Sequence, residues 1–322
     1  MKPLQTAPLN SSVKVLVRCD LDVPLENGQI KETFRLDQML PTLNFVKQAG
    51  AKIIIAGHIG KPHGKVVPEL STKQLLPYFN QKLGADTFEL LENLRFDPRE
   101  EANIDSFAAK LAAKANIYVN ESFATCHRMH SSIVGIPKYL PSYAGLRLQK
   151  EIEVLSKVLK NPVRPLTAII GGAKLESKKP VVAKFLHIAD YVMLGGKLGL
   201  AWTEEIPENL LLPLDYAHDQ KDLGPQTIQG FTHFLTQSKT VIWAGPLGMY
   251  EQQEFAKATY EIAKVITSQK LFSVVGGGDT ISALNRLGLL NNFSFISTGG
   301  SAMLEYLAKE TLPGLEALNA KN

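Results

Sequence analysis

The stretch FSVVGGGDTIS, residues 272–282, decides the fold. Residues 272–275 form a short apolar run with β-branched residues, as a buried strand requires. Gly276, Gly277 and Gly278 then make a turn without side chains, and Asp279 and Thr280 are residue types that open helices. Strand, bare turn and helix in that order are the repeating unit of a parallel α/β sheet, where ligands bind beyond the carboxyl ends of the strands.

The pattern repeats outward from this stretch. Further strand candidates are residues 13–17, 52–56, 117–119, 166–170, 191–194, 240–243 and 293–297. Helical spacing fills DQMLPTLNFVKQAGAK (37–52) and FAKATYEIAKVITSQK (255–270), and Pro41 predicts a kink or a late start in the first. GLRLQKEIEVLSKVLKNPVRP (145–165) keeps helical spacing up to an Asn-Pro pair, so it reads as a connecting helix. The expected fold is α/β: two doubly wound, Rossmann-like parallel-sheet domains, residues 1–160 and 161–322, joined by that hinge helix.

Composition agrees with two cores. The 322 residues are 45% hydrophobic and 20% charged, too apolar for extended disorder. A net charge of +4, from 35 Lys plus Arg against 31 Asp plus Glu, comes without a long basic run. Small anionic ligands are therefore expected rather than nucleic acid. Cys19 and Cys126 are too few for a disulfide framework and lack zinc spacing, which suits a reducing cytosol. MKPLQTAPLNSS carries no apolar signal core, and no apolar run approaches the ~18 residues of a membrane span, so a soluble cytoplasmic protein is expected.

The residues after the strands divide by chemistry. The first half supplies RCDLDVP, GHIGKP and NESFATCHRMHSS, with cations and histidines; the second supplies IIGGAKLESKK, MLGGKLG, WAGPLGMYE, VVGGGDTIS and STGGSA, with glycine turns. Backbone N–H groups converge on phosphate oxygens only where no Cβ intervenes, so the glycine half suits a nucleotide and the cationic half a small anion. Each glycine turn also has a plain explanation, a tight connection from strand to helix. Lys174 and Lys178, four apart after such a turn, share a helix face where they neutralise a transferring phosphoryl group, unless that face is merely solvated.

In this order the motifs resemble the phosphoglycerate kinase family. RCDLDVP, HIGKP, ENLRF, CHRMHSS, GGAKLESK, WAGPLGMYE, GGGD and STGG match its pattern from about Val13 to Leu318. The resemblance implies Mg-dependent, reversible phosphoryl transfer between 1,3-bisphosphoglycerate and ADP, by a hinge-bending monomer whose last residues return to the first domain. Asp20, Leu21, Asp22, Arg35, His58, Ile59, Gly60, Lys61, Arg128 and Arg164 are implied to hold the triose. Gly172, Lys174, Lys178, Gly195, Gly196, Pro246, Glu251, Gly277, Gly278, Asp279 and Thr280 are implied to hold ATP or ADP, with Asp279 on Mg²⁺ and Glu251 on the ribose. Arg35, Lys174, Lys178, Gly278 and Gly300 are implied to carry the transfer. The alternative is a non-catalytic descendant that binds phosphoglycerate or nucleotide.

Several positions depart from the family. Asp22 replaces Asn, so weaker triose binding is expected unless a cation neutralises it. Lys61 replaces Arg and loses the bidentate fork. Ser177, Ala244 and Lys197 also differ, and the stretch 197–222 is much shorter than its counterpart, which leaves base recognition open.

Overall fold

The computed structural model describes residues 1–173 and 175–320. The chain divides into two compact units, Met1–Ile152 with the chain from Thr311 onward, and Glu153–Glu310.

The first unit is built on five strands: β1 (Lys14–Arg18), β2 (Lys52–Ala56), β3 (Phe88–Leu90), β4 (Ile117–Asn120) and β5 (Ser142–Ala144). All pair in parallel in the order β3-β2-β1-β4-β5. Central β1 and β2 expose only their first lysine, the continuous apolar pattern of a strand covered on both faces. Val15, Val17, Ile53 and Ile55 pack against Leu36, Met39 and Leu43 of α1 (Phe34–Gln48). The helix starts well before Pro41 and runs through it, contrary to a late start. Pro41 sits on the exposed face, where the buried stripe Leu36, Met39, Leu43 and Val46 outweighs one lost backbone bond.

The second unit carries β6 (Leu166–Ile170), β7 (Tyr191–Leu194), β8 (Leu210–Leu211), β9 (Thr240–Ala244), β10 (Phe272–Gly276) and β11 (Phe295–Ile296), ordered β8-β7-β6-β9-β10-β11 and all parallel. Its core joins Val241, Trp243 and Val275 to Ile262 and Ile266 of the helix Lys257–Thr267 and to Leu284. Both sheets therefore have the doubly wound order, which reverses between β1 and β4 in one and between β6 and β9 in the other. Those reversals open a crevice at the carboxyl ends of the strands.

The further long helices are α2 (Leu76–Leu83), α3 (Asp105–Ala112), α4 (Leu146–Lys160), α5 (Lys179–Ile188), α6 (Pro225–Leu235), α7 (Lys257–Thr267) and α8 (Gly278–Arg286), with α9 (Gly300–Lys309) and α10 (Pro313–Asn319) after the last strand. The division between units falls inside α4, between Ile152 and Glu153. Its first turn is anchored by Glu121, whose buried carboxyl group accepts from Thr42 Oγ1 (2.6 Å), Arg147 N (3.0 Å) and Leu148 N (3.4 Å). Gly145 is required there, since a Cβ would fall 1.8 Å from Glu121 Oε2. Burial pushes the Glu121 carboxyl up to about 8. Among the described residues, no helix is long and apolar enough to cross a membrane.

Candidate functional site

In the first unit, the switch point gathers residues from the ends of β1, β2 and β4. Arg35 Nη1 donates to the Asp22 carbonyl (3.1 Å) and lies 3.5 Å from Asp20 Oδ1, while Asp22 Oδ1 accepts from Gly60 N (2.8 Å). Asp20 is buried and its Oδ2 has no hydrogen-bond partner among the described residues, which leaves a buried acceptor open to an outside donor. Burial raises the Asp20 carboxyl despite Arg35, and Asp20 in turn raises Arg35. His58 is buried and held well below the usual imidazole range, first by burial and then by Arg18 and Arg95. Its Nε2 approaches Asp22 Oδ2 at 3.9 Å, and because the ring is neutral this contact is not an ion pair. His130 is pushed down to about 3 by burial and by Arg95, Arg18 and Arg128. Lys61 and Arg128 are exposed.

Three expectations change here. Leu21 and Ile59 turn their side chains into the core, and the Ile59 carbonyl is taken by Asn93 Nδ2 (2.8 Å). Arg164 does not join the cluster. It precedes β6, at the amino end of the second sheet, where its exposed guanidinium pairs with Asp190 Oδ2 (2.8 Å) and donates to the Ile188 carbonyl. The arginine that does join is Arg95, buried, with Nη1 on the Gly60 carbonyl (2.8 Å) and a pKa lowered by burial, against Glu101, by Arg18 and Arg128. Arg95 stands in ENLRF, a few residues after β3, and this edge strand is too short to read from sequence. Without it, nothing marked Arg95 as a residue that follows a strand.

In the second unit, a cavity of about 670 Å³ lies over the ends of β6, β9 and β10. The starts of α5, α8 and α9 face it through Lys178, Gly278 and Gly300. Glycine has distinct reasons around it. A Cβ on Gly171 would meet Pro246 O at 2.3 Å, and one on Gly245 would meet Gly171 O at 2.1 Å, so two backbone loops touch at the switch point. Gly195 is closed by Leu247 Cδ2 (2.1 Å), and Gly196 by the Gly172 carbonyl (2.7 Å). Gly300 abuts the Gly277 Cα, and Gly277, at φ +104°, takes a conformation that L side chains rarely adopt. Gly278 differs from all of these: its φ is ordinary and a Cβ would meet nothing within 4 Å among the described residues. No packing contact among the described residues asks for glycine there, and its bare Cα leaves the amides of the α8 N-terminus open to the cavity.

Lys178 is half-buried beside this turn, its amine lowered by burial and raised by the nearby Asp279. Thr280 is fully buried and its Oγ1 accepts from Gly245 N (2.7 Å), so it ties two loops together. Gly172, Pro246 and Asp279 border both the large cavity and an adjoining one of about 180 Å³, which Gly196, Lys197 and Glu251 also line. In place of a longer segment, residues 197–223 supply a short helix (Lys197–Ala201), β8 and a hairpin pairing Tyr216–Ala217 with Asp222–Leu223. Lys174 lies outside the described residues.

Known proteins agree with this architecture. The sequence model of the family described as "Phosphoglycerate kinase" matches residues 9–87, 81–206 and 213–310. The phosphoglycerate kinase of Leptospira biflexa is 35% identical over 381 aligned residues, covering 96% of each chain; that of Moorella thermoacetica is 33% identical over 389, covering 99% of each. Both alignments are longer than the 322 residues of this chain, so the relatives carry inserted segments. Among solved structures, phosphoglycerate kinase from Coxiella burnetii superimposes with a TM-score of 0.86 at 28% identity, covering 99% of each chain. That from Pyrococcus horikoshii OT3 gives 0.85 at 26%, covering 99% of this chain and 98% of its own. The chain therefore belongs to the phosphoglycerate kinase family.

Proposed function

We propose that this protein is an active phosphoglycerate kinase that moves a phosphoryl group reversibly between Mg-ATP and 3-phosphoglycerate. In this reading a carboxylate oxygen of 3-phosphoglycerate bonds to the γ-phosphorus while the bond from that phosphorus to the β,γ-bridging oxygen breaks, and ADP leaves with the electron pair. Nothing covalent is asked of the protein, which must position the reactants and offset spreading negative charge. The observation that carries the reading is Gly278, whose open Cα faces the cavity beside half-buried Lys178.

The first-unit cluster suits the triose. Arg35, Arg95, Arg128 and Lys61 offset its charge, His58 donates, and the orphaned Oδ2 of Asp20 accepts the hydroxyl proton of the glycerate. Gly277, Gly278 and the α8 amides hold nucleotide phosphate, Lys178 accompanies the transferring group, and Glu251 faces the ribose. Lys174 is assigned to phosphate from its motif alone. Asp279 fits a magnesium ion, since one exposed carboxylate bordering a phosphate cavity is what Mg²⁺ uses when phosphates and water complete its shell. When bound, the ion supplies charge neutralisation between the phosphates. A soluble, cytoplasmic monomer is part of the same proposal.

A panel of acids tests it. With ATP and Mg²⁺, 3-phosphoglycerate should support ADP formation, and glycerate, acetate and 2-phosphoglycerate should not. Equal turnover with an unphosphorylated acid would reject the triose reading.

A further inference from the structure

We infer that Arg18 is a positioning residue that fixes His58 as the Nε2–H tautomer, so the histidine of the triose cluster works as a neutral hydrogen-bond donor. Arg18 is buried at the end of β1, and its Nη2 lies 3.0 Å from His58 Nδ1. A guanidinium has donors and no acceptor, so Nδ1 must be the bare, accepting nitrogen and the ring proton must sit on Nε2. The arginine cannot turn away to release the ring. Its Nε donates to Ser132 Oγ (2.9 Å) and its Nη1 to the Cys19 carbonyl. Ser132 in turn gives its hydroxyl to Glu100 Oε1 (2.5 Å) and its N–H to Oε2 (2.9 Å). Fully buried Glu100 anchors this chain of contacts from beneath.

The other groups facing His58 support the same state. Arg18, Arg95, His130 and Arg35 all disfavour a positive ring, and Asp22 Oδ2, at 3.9 Å from Nε2, opposes them across a longer gap. A neutral Nε2–H is the useful form here. It offers an anionic ligand one donor of fixed direction, and the strength of that donor does not change between pH 6 and 8. The ligand's own phosphate titrates near pH ~6, so a KM profile against pH would mix the two effects.

The inference rests on the triose reading, and the test separates them. Long-range imidazole ¹H–¹⁵N spectra of ¹⁵N-histidine-labelled full-length protein should show His58 with a bare Nδ1 and no titration from pH 5.5 to 8.5. A proton on Nδ1, or a ring that titrates near its ordinary pKa of about 6.5, would overturn the inference. Added 3-phosphoglycerate should shift the Nε2–H resonance; a retained tautomer without that shift would reject the triose reading alone. In Arg18→Met the His58 midpoint should rise into the window. Should that variant not fold, His58→Leu and His58→Gln decide. Losing a donor to a charged ligand should raise the 3-phosphoglycerate KM about tenfold in the Leu variant, and the neutral amide of Gln should recover part of it at similar kcat. A Gln variant as weak as Leu would contradict a neutral donor.

Discussion

The two crevices lie at the same topological position, the reversal of strand order in a doubly wound sheet, yet they are made of opposite materials. In the first unit the work falls to charged side chains: Arg18, Arg35 and Arg95 are held in place by Ser132, Glu100, Asp20 and backbone carbonyls. In the second it falls to backbone: Gly171, Gly245 and Gly277 let loops touch, and Gly278 leaves space. A small triose offers few atoms and much charge, so directional cations suit it. A nucleotide offers phosphates that amides at a helix N-terminus can approach. Side-chain recognition needs a buried supporting network, whereas backbone recognition needs only the absence of Cβ atoms.

The largest expected break in this contrast comes from two glycines. Gly278→Val should raise the nucleotide KM by about two orders of magnitude and leave Tm nearly unchanged, because the new side chain meets only the cavity. Gly245→Ala should do the reverse. At φ +100° and 2.1 Å from the Gly171 carbonyl, it should cost about 3 kcal/mol of stability, seen in thermal unfolding. Equal Tm losses in both would erase the distinction between glycine kept for the chain and glycine kept for the ligand.

Arg95→Met sharpens the side-chain half. Loss of a charge-assisted contact should raise the 3-phosphoglycerate KM roughly 10- to 100-fold without moving the nucleotide KM, and steady-state titration of each substrate reads both. An unchanged triose KM would leave Arg95 as a brace for Gly60 only.

Asp22→Asn is a smaller change with the opposite sign. Asn keeps the acceptor for Gly60 N and removes a carboxylate beside an anionic ligand, so the triose KM should fall about threefold. His58 does not neutralise Asp22, being itself uncharged. A KM unchanged or raised would remove the proposed penalty.

The smallest effect concerns the frame of the first unit. Glu121 titrates at about 8 when folded against 4.5 for an ordinary glutamate, so it is protonated in the fold and ionised in the unfolded chain through that window. Its contribution is complete below pH 4.5 and is lost as pH rises through about 8. Between pH 5 and 8 the native protein should lose a few more degrees of Tm than Glu121→Gln, on the order of 5 °C. Parallel curves would show that Glu121 stays ionised at the start of α4.

Most of this was legible in the sequence because central parallel strands are apolar throughout and end in residues with few other uses. The eight strand candidates all fall on observed strands, and the glycine turns follow five of the six strands of the second sheet, all but β8. What stayed hidden had weak local signals. β3 and β5 are edge strands of three residues each, too short for periodicity to register. Arg95 was lost with β3, and Arg164 was placed with the cluster by the resemblance alone, although it stands before the strand candidate at 166–170 and so at the amino end of a parallel sheet. Pro41 misled because its cost is local, while the buried stripe that outweighs it is tertiary. Glycine sequence alone also could not say which turns serve packing; Gly195 and Gly196 look like Gly278 until their neighbours are known.

The most direct test of the central claim is ADP formation from Mg-ATP by wild type and Lys178→Ala, measured with and without 3-phosphoglycerate, alongside equilibrium binding of both ligands to the same samples. Turnover should require 3-phosphoglycerate and fall about a thousandfold in the variant, while each ligand still binds within several-fold of wild type. Binding of both ligands to the wild type without turnover would contradict the account and leave a protein that holds the substrates of this reaction but does not perform it.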